Sequence, residues 1–217
     1  MKLIELAKGG IQTDLRQRII DSSLVLFEQY GFHRVSVKQI VEAAGVSKGG
    51  FYHHFSTKGE LLFVIHDIFI SFVLERATIG NEKHKSPTKR LDSIIADFVS
   101  VFDVYKAHLT VFYQEYNYLE PEHEAIVKNK RNRFKGIIKQ VIQDGVDNGE
   151  FRKDLSVDIT TMAILGMVNW TYKWYQRDGE KTIEEIANYY IDFMMQAILT
   201  DIAPPEEEQD NISSTNF

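Results

Sequence analysis

Cysteine is absent from the 217 residues, which excludes a disulfide framework, a thiolate zinc site and a cysteine nucleophile. Proline occurs four times and glycine 13 times, too rarely to punctuate a chain of many short strands. No strand-like alternation and no internal repeat stands out. No stretch approaches ~18 uninterrupted apolar residues, so no membrane-spanning helix and no membrane partner is expected. The opening Met1-Lys2-Leu3-Ile4-Glu5-Leu6 lacks the apolar run and cleavage site of a signal peptide. A cytoplasmic protein is the expectation.

What the chain does have is a helix-forming core. It is 44% hydrophobic, far too apolar for general disorder and sufficient for a sizeable core. From Thr13, read as an N-cap, Leu15, Ile19, Ile20, Leu24, Phe27 and Tyr30 recur mostly at spacings of three and four, and Gly31 closes the segment. Ser36 opens a second short helix that Gly45 ends, and Ser47 caps a third, Lys48 to Phe55. Thr57 caps a fourth, with Glu60 completing a capping box. Beyond Gly80-Asn81 the charged stretch 82–87 reads as a loop. Further helices are expected at 87–104, 106–118, 121–148, 156–177 and 182–201. The fold class is all-α. A tail over 204–217, with two prolines and three successive glutamates, is expected to be disordered.

Charge divides the chain in two. The formal net charge is −6, yet residues 1–58 carry eight Lys/Arg against five Asp/Glu, a net +3, plus His33, His53 and His54. The remainder holds 17 basic and 26 acidic residues, a net −9. A basic head on an acidic body suits a polyanion partner confined to the N-terminal part; a chance fluctuation of surface charge is the simpler alternative.

Within that head, three short helices with glycine between the second and third are the parts of a helix-turn-helix unit. Gly45 supplies a positive φ for the turn, Val46 plugs the corner and Ser47 caps the third helix. That helix carries Gly49 and Gly50 before Phe51-Tyr52-His53-His54-Phe55. Each glycine costs about 1 kcal/mol in a helix relative to alanine, a weakness that close approach to a large ligand such as the DNA major groove would explain. The run Ser36 to Lys58, with its Ala-Gly-Val-Ser, Tyr-x-His-Phe and Lys spacing, resembles the DNA-binding domain of TetR-type transcriptional repressors over about residues 13–62. The resemblance implies a double-stranded DNA operator as partner. It places Lys48, Gly49 and Gly50 nearest the base edges and Lys38 near a base or phosphate. Phosphates would fall to Tyr52, His54 and Lys58, with Ser36 and Ser47 helping through hydroxyls or capped amides. His53 completes the polar face. Gly59 departs from the family, where an acidic residue is usual, and Gly50 stands where threonine is common.

Motifs for catalysis fail on inspection. Gly45 to Gly50 mimics a phosphate loop, but Phe51 occupies the lysine's place. Gly45-Val46-Ser47-Lys48-Gly49 matches a nucleophile elbow in letters only, since a helix precedes it where a strand is required. His123-Glu124 has Val127, not a second histidine, four residues on. No enzyme activity, cofactor or metal is expected.

In the body, aromatic density peaks over 98–118; Tyr113, Tyr116 and Tyr118 beside Asn117 could line a cavity with polar groups in an apolar wall, with Phe102 and Phe112 as candidates to meet a ligand's apolar chain. Plain core is the simpler reading for any one of them. A basic run comes after it, including Lys128, Lys130, Arg131, Arg133, Lys135 and Lys139 around Phe134. A solvated face is its simpler reading; a rim attracting an anionic head group is the functional one. Met167, Trp170 and Trp174 lie in a segment that, with Glu184-Glu185-Ile186-Ala187, is similar to the C-terminal region of TetR-type regulators of fatty-acid and sterol-chain breakdown. In those regulators acyl-CoA thioesters are the inducers. The resemblance implies a small-molecule inducer here, an acyl-CoA or related thioester, and a homodimer paired through the last helices along Ile186, Tyr190, Phe193, Met194 and Ala197. The expected organisation is a DNA-binding domain over 1–58 and a ligand-binding and dimerisation domain over 59–203. An uncharged hydrophobic inducer, or an enzyme acting on CoA thioesters, are the alternatives.

Overall fold

The computed structural model describes residues 14–200; Thr13 and the 204–217 tail lie outside the described residues. The elements in chain order are α1 (Leu15–Tyr30), α2 (Val37–Ala44), α3 (Lys48–His54), α4 (Lys58–Lys83), α5 (Pro87–Val104), α6 (Lys106–Gln114), a 3-10 turn (Tyr116–Tyr118), α7 (Pro121–Asp147), α8 (Val157–Trp174) and α9 (Ile183–Ile198). The only extended pairing among the described residues is the isolated antiparallel bridge Phe151–Leu199. No described helix is long and apolar enough to cross a membrane.

Helix starts coincide with the capping residues. Asp14 accepts from the Arg16 amide, Ser86 from Lys89 with Pro87 at the first helical position, and Thr182 forms a reciprocal box with Glu185. Thr57 Oγ1 accepts from the Glu60 amide at 2.9 Å, but the Glu60 carboxylate reaches one residue further back than a capping box requires, to the Ser56 amide at 2.6 Å.

Helix α4 is the shaft of the molecule. It packs on α5, α7 and α6, so its buried residues (Leu61, Leu62, Ile65, Phe69, Ile70, Val73, Leu74 and Ala77 among them) surround most of its circumference. The loop expected over 82–87 is shorter than that: α4 runs through Gly80 to Lys83 and α5 begins at Pro87. Gly80 is a contact. A Cβ there would lie 3.2 Å from Ile94 and Ser93 side-chain atoms of α5. Beyond α4, Glu150 ties the far end together. It accepts from Ser86 Oγ (2.7 Å), Thr88 N (3.0 Å) and Thr88 Oγ1 (2.7 Å), bonds that hold its carboxyl near pKa 2 against the cost of burial.

Gly145 and Gly136 both lie in the interior of α7, in opposite surroundings. A Cβ on Gly145 would sit 2.1 Å from the buried Phe151 ring, whereas Gly136 has nothing within 4 Å. Gly145→Ala should therefore destabilise by about 1–3 kcal/mol through overpacking. Gly136→Ala should stabilise by up to about 1 kcal/mol. Urea unfolding midpoints read both; shifts of the same sign would contradict this packing.

Candidate DNA-binding face and ligand cavity

The α2–α3 corner is built as the sequence suggests. Gly45 adopts φ 62°, ψ 38°, the left-handed region that glycine enters without strain. From α1, Arg18 Nη2 donates to the carbonyls of Ala44 (2.5 Å) and Gly45 (3.0 Å), fixing the turn. Ser47 Oγ accepts from the Gly50 amide at 2.9 Å. Phe51 and Phe55 are buried, which turns Lys48, Gly49, Tyr52 and His53 outward together, with His54 and Gly50 half-buried at the edge. Lys48 Nζ lies 5.9 Å from the Tyr52 ring centre, and the His53 and His54 rings are 5.0 Å apart. On α2, Lys38 is exposed beside Glu42. Ser36 uses its hydroxyl twice in its own capping box, on the amide and side chain of Gln39. For Ser36 this favours the capped helix start over the hydroxyl as the group able to meet an anion.

Lys58 requires a correction. Its ammonium donates to the carbonyls of Phe32 (2.8 Å) and Val35 (2.7 Å) and sits 4.2 Å over the Phe32 ring. It is a tie between the α1–α2 loop and the start of α4, not a free hand for phosphate. Gly59 also gains a reason. A Cβ there would lie 3.0 Å from Glu120 Oε1, so a carboxylate reaches the start of α4 from the beginning of α7.

In the body, a cavity of about 520 Å³ opens between α4, α6, α7 and α8. Phe69, Ile70 and Val73 of α4, Phe98 of α5, Phe112 of α6, Phe134 of α7 and Leu165 of α8 make its apolar wall. Lys128, Arg131 and Lys135 contribute cations from α7. The Arg131 guanidinium lies 5.2 Å from the Tyr116 ring centre and 5.8 Å from that of Phe112. Tyr113 donates its hydroxyl to Asn169 Oδ1 at 2.6 Å, and burial raises its phenol far above the ordinary value. Behind Phe112, His66 is fully buried, bonds the Leu62 carbonyl at 2.9 Å, and is pushed down to about 4 by desolvation. It is neutral at ordinary pH.

Of the expected ligand residues, Phe112, Tyr113, Tyr116, Arg131, Phe134 and Lys135 line this cavity together. Five do not. Phe102 is core, beside a separate small crevice. Arg133 points to solvent from the opposite side of α7. Met167 lines an apolar groove between α8 and α9, while Trp170 and Trp174 stand 63% and 46% exposed on the outer face of α8. Helical spacing put the tryptophans on one face correctly; nothing local said that this face points outward. Sequence reasoning missed Phe69, Val73 and Phe98, which resemble any core residue, and Asn169, whose signal was a lone amide inside an apolar helix. The last helix also divides. Phe193 is 67% exposed and Ala197 is exposed. Ile186 is spent on the chain's own core, Tyr190 is half-buried against Thr171, and Met194 is buried at the floor of the groove.

A capped outward helix on a tight three-helix unit, carried by an all-helical body with a cavity, defines a helix-turn-helix regulator. Residues 19–65 match the family described as bacterial regulatory proteins of the tetR family, and residues 84–198 match the tetracyclin repressor-like C-terminal domain. The chain belongs to the TetR family of transcriptional regulators, which are DNA-binding repressors and not enzymes. It is similar to the HTH-type transcriptional repressor KstR2 of Mycobacterium tuberculosis, with 21% identity over 88% of this chain and 96% of that one. The solved structure of that protein, a ketosteroid transcriptional regulator, superposes with a TM-score of 0.80 at 20% identity, covering 89% of this chain and 99% of the other. The fatty acid metabolism regulator protein of Bacillus subtilis is 21% identical over 83% of this chain and 94% of its own. AibR in complex with isovaleryl coenzyme A and operator DNA has a TM-score of 0.74 at 22% identity, covering 83% of this chain and 97% of its own.

Lys48 and Lys58 should separate in one experiment. Operator titrations over a range of salt should show Lys48→Ala flattening the log–log slope by about one. Lys58→Ala should lower the melting temperature and leave that slope nearly unchanged. A slope loss of one for Lys58→Ala would restore it as a phosphate contact.

Proposed function

We propose that the protein is a homodimeric repressor that binds a near-palindromic operator and is released by an acyl-CoA or related CoA thioester. The observation that carries this reading is the cavity, where an apolar wall from five helices adjoins Lys128, Arg131 and Lys135. An apolar chain with a polyanionic head matches that combination. Support also comes from the relatives: AibR binds isovaleryl coenzyme A, and two others are named for fatty-acid and ketosteroid regulation. On the DNA side, Lys38, Lys48, Gly49, Gly50, Tyr52, His53 and His54 form the operator face, with the starts of α2 and α3 at Ser36 and Ser47.

The cavity has two physical connections to that face. Helix α4 lines it with Phe69, Ile70 and Val73 and begins at Lys58, directly after α3. Helix α6 lines it with Phe112 and Tyr113 and packs on α1, where Thr110 bonds Glu28. The ligand acts by preferring the arrangement in which two recognition helices are wrongly spaced, and its effect equals the difference of its affinities for the two states. The partner copy would cover Ile159, Trp170, Tyr189 and Phe193, a band of exposed large apolar residues on α8 and α9.

Thermal-shift titration with a CoA-ester series and the matched free acids tests the ligand. Affinity should rise by about 0.8 kcal/mol per buried methylene until the cavity is full, and the free acids should bind more weakly for want of phosphate contacts. Equal shifts for ester and acid, or none, would reject the CoA assignment and leave an uncharged hydrophobic inducer as the reading. For the dimer, Phe193→Asp should sediment as a monomer with poor operator affinity. A wild-type protein that sediments as a 25.1 kDa monomer would overturn the dimer.

A further inference from the structure

The cavity divides by depth. Its buried lining is Phe69, Ile70 and Val73 of α4, Phe98 of α5, Phe112 of α6 and Phe134 of α7. Its exposed lining belongs to two helices: Lys128, Arg131, Asn132 and Lys135 of α7, and Met162 and Gly166 of α8. The mouth is therefore the cleft between α7 and α8, with cations along one lip. These helices pack together and run antiparallel from the connection at 148–156, and Lys139 pairs with Asp158 across them. Counting eight residues from that pair along each helix brings Arg131 and Gly166 level on the two lips.

Gly166 stands in the middle of α8, where glycine weakens a helix relative to alanine. Neither its backbone nor its packing calls for glycine. Its φ is not positive, and a Cβ there would meet nothing within 4 Å. Open space alone decides nothing, because Gly136 of α7 has it too. The two differ in place: Gly136 is outside the cavity lining, and Gly166 is at the mouth, across from the Arg131 guanidinium. A cavity of about 520 Å³ holds a drug-sized ligand. A whole acyl-CoA is larger, so part of it stays outside and its arm has to cross the mouth.

We propose that the gap at Gly166 is the portal through which the arm of a CoA thioester leaves the cavity. The acyl chain then lies beneath it among Phe69, Val73 and Phe98, and the nucleotide stays outside on the lip carrying Lys128, Arg131 and Lys135. The proposal rests on the acyl-CoA reading above and adds the route by which the ligand crosses the surface. A side chain at position 166 would enter space that the free protein leaves empty and the bound ligand needs. Such a substitution acts on the fold and on the ligand in opposite directions.

The test uses the full-length protein with Gly166→Ala and Gly166→Leu, and Gly136→Leu as the control. Both leucine variants should raise the melting temperature of the free protein, since leucine favours a helix interior. Calorimetric titration with hexanoyl-CoA and decanoyl-CoA should show Gly166→Leu weakening both esters by about tenfold or more and by the same factor, because the arm is common to them. Gly166→Ala should weaken them less, and Gly136→Leu should leave them unchanged. Sedimentation of Gly166→Leu should match the wild type. Wild-type affinity in Gly166→Leu, or a lowered melting temperature, overturns the portal while the acyl-CoA reading stands. So does a loss that grows with chain length, which would mean that the side chain fills the cavity itself. A smaller sedimenting species would assign the glycine to the contact between copies and overturn it equally. Failure of the wild-type protein to bind either ester overturns both readings.

Discussion

The loop between α1 and α2 is the point on which the two halves of the molecule depend. Its carbonyls at Phe32 and Val35 are held by the Lys58 ammonium, so the first residue of α4 is bonded to the unit that precedes it. From the other side Tyr118 stacks on Phe32 at 6.1 Å and meets the His33 ring edge-on at 4.0 Å. Tyr118 lies two residues beyond Tyr116, which lines the cavity. Burial lowers the Lys58 pKa. Without that charge-assisted tie, α4 would keep its Thr57 cap but lose its bond to the loop between α1 and α2.

Helix α4 then converts a local anchor into a long one. Its 26 residues extend about 39 Å at 1.5 Å per residue. Because α5, α6 and α7 all pack on it, its buried positions lie on several sides of the axis. Motion at Phe69 or Val73 is therefore shared with the whole helix, since close-packed interiors shift as units.

Much of the molecule was legible beforehand, and the failures have physical causes. The caps at Ser36, Ser47 and Thr57 are local chemistry, and local chemistry can be read along one chain. So can α5, whose Pro87 start and Val104 end match the expectation. The packing role of Gly80 was not legible, because glycine either ends a helix or admits a neighbour, and only the presence of Ile94 decides. Lys58 was misread because a lysine's partners, here more than 20 residues away in sequence, leave no trace in spacing. The cavity was half legible: the aromatics and cations of α6 and α7 stood out by density, while Trp170 and Trp174 went to the wrong side. Periodicity tells which residues share a face and is silent on what the face meets.

The antiparallel bridge between Phe151 and Leu199 bears on how the molecule can be handled. With Thr200 N bonded to the Glu150 carbonyl, and the Glu150 carboxylate on Ser86 and Thr88, the last described residue is pinned beside the start of α5. That is the pole of the body reached by the end of α4, a full helix length from the operator face. A surface linkage, dye or fusion partner attached at Thr200 would therefore point away from bound DNA. The protein could be immobilised there with α3 left free to meet a duplex in solution.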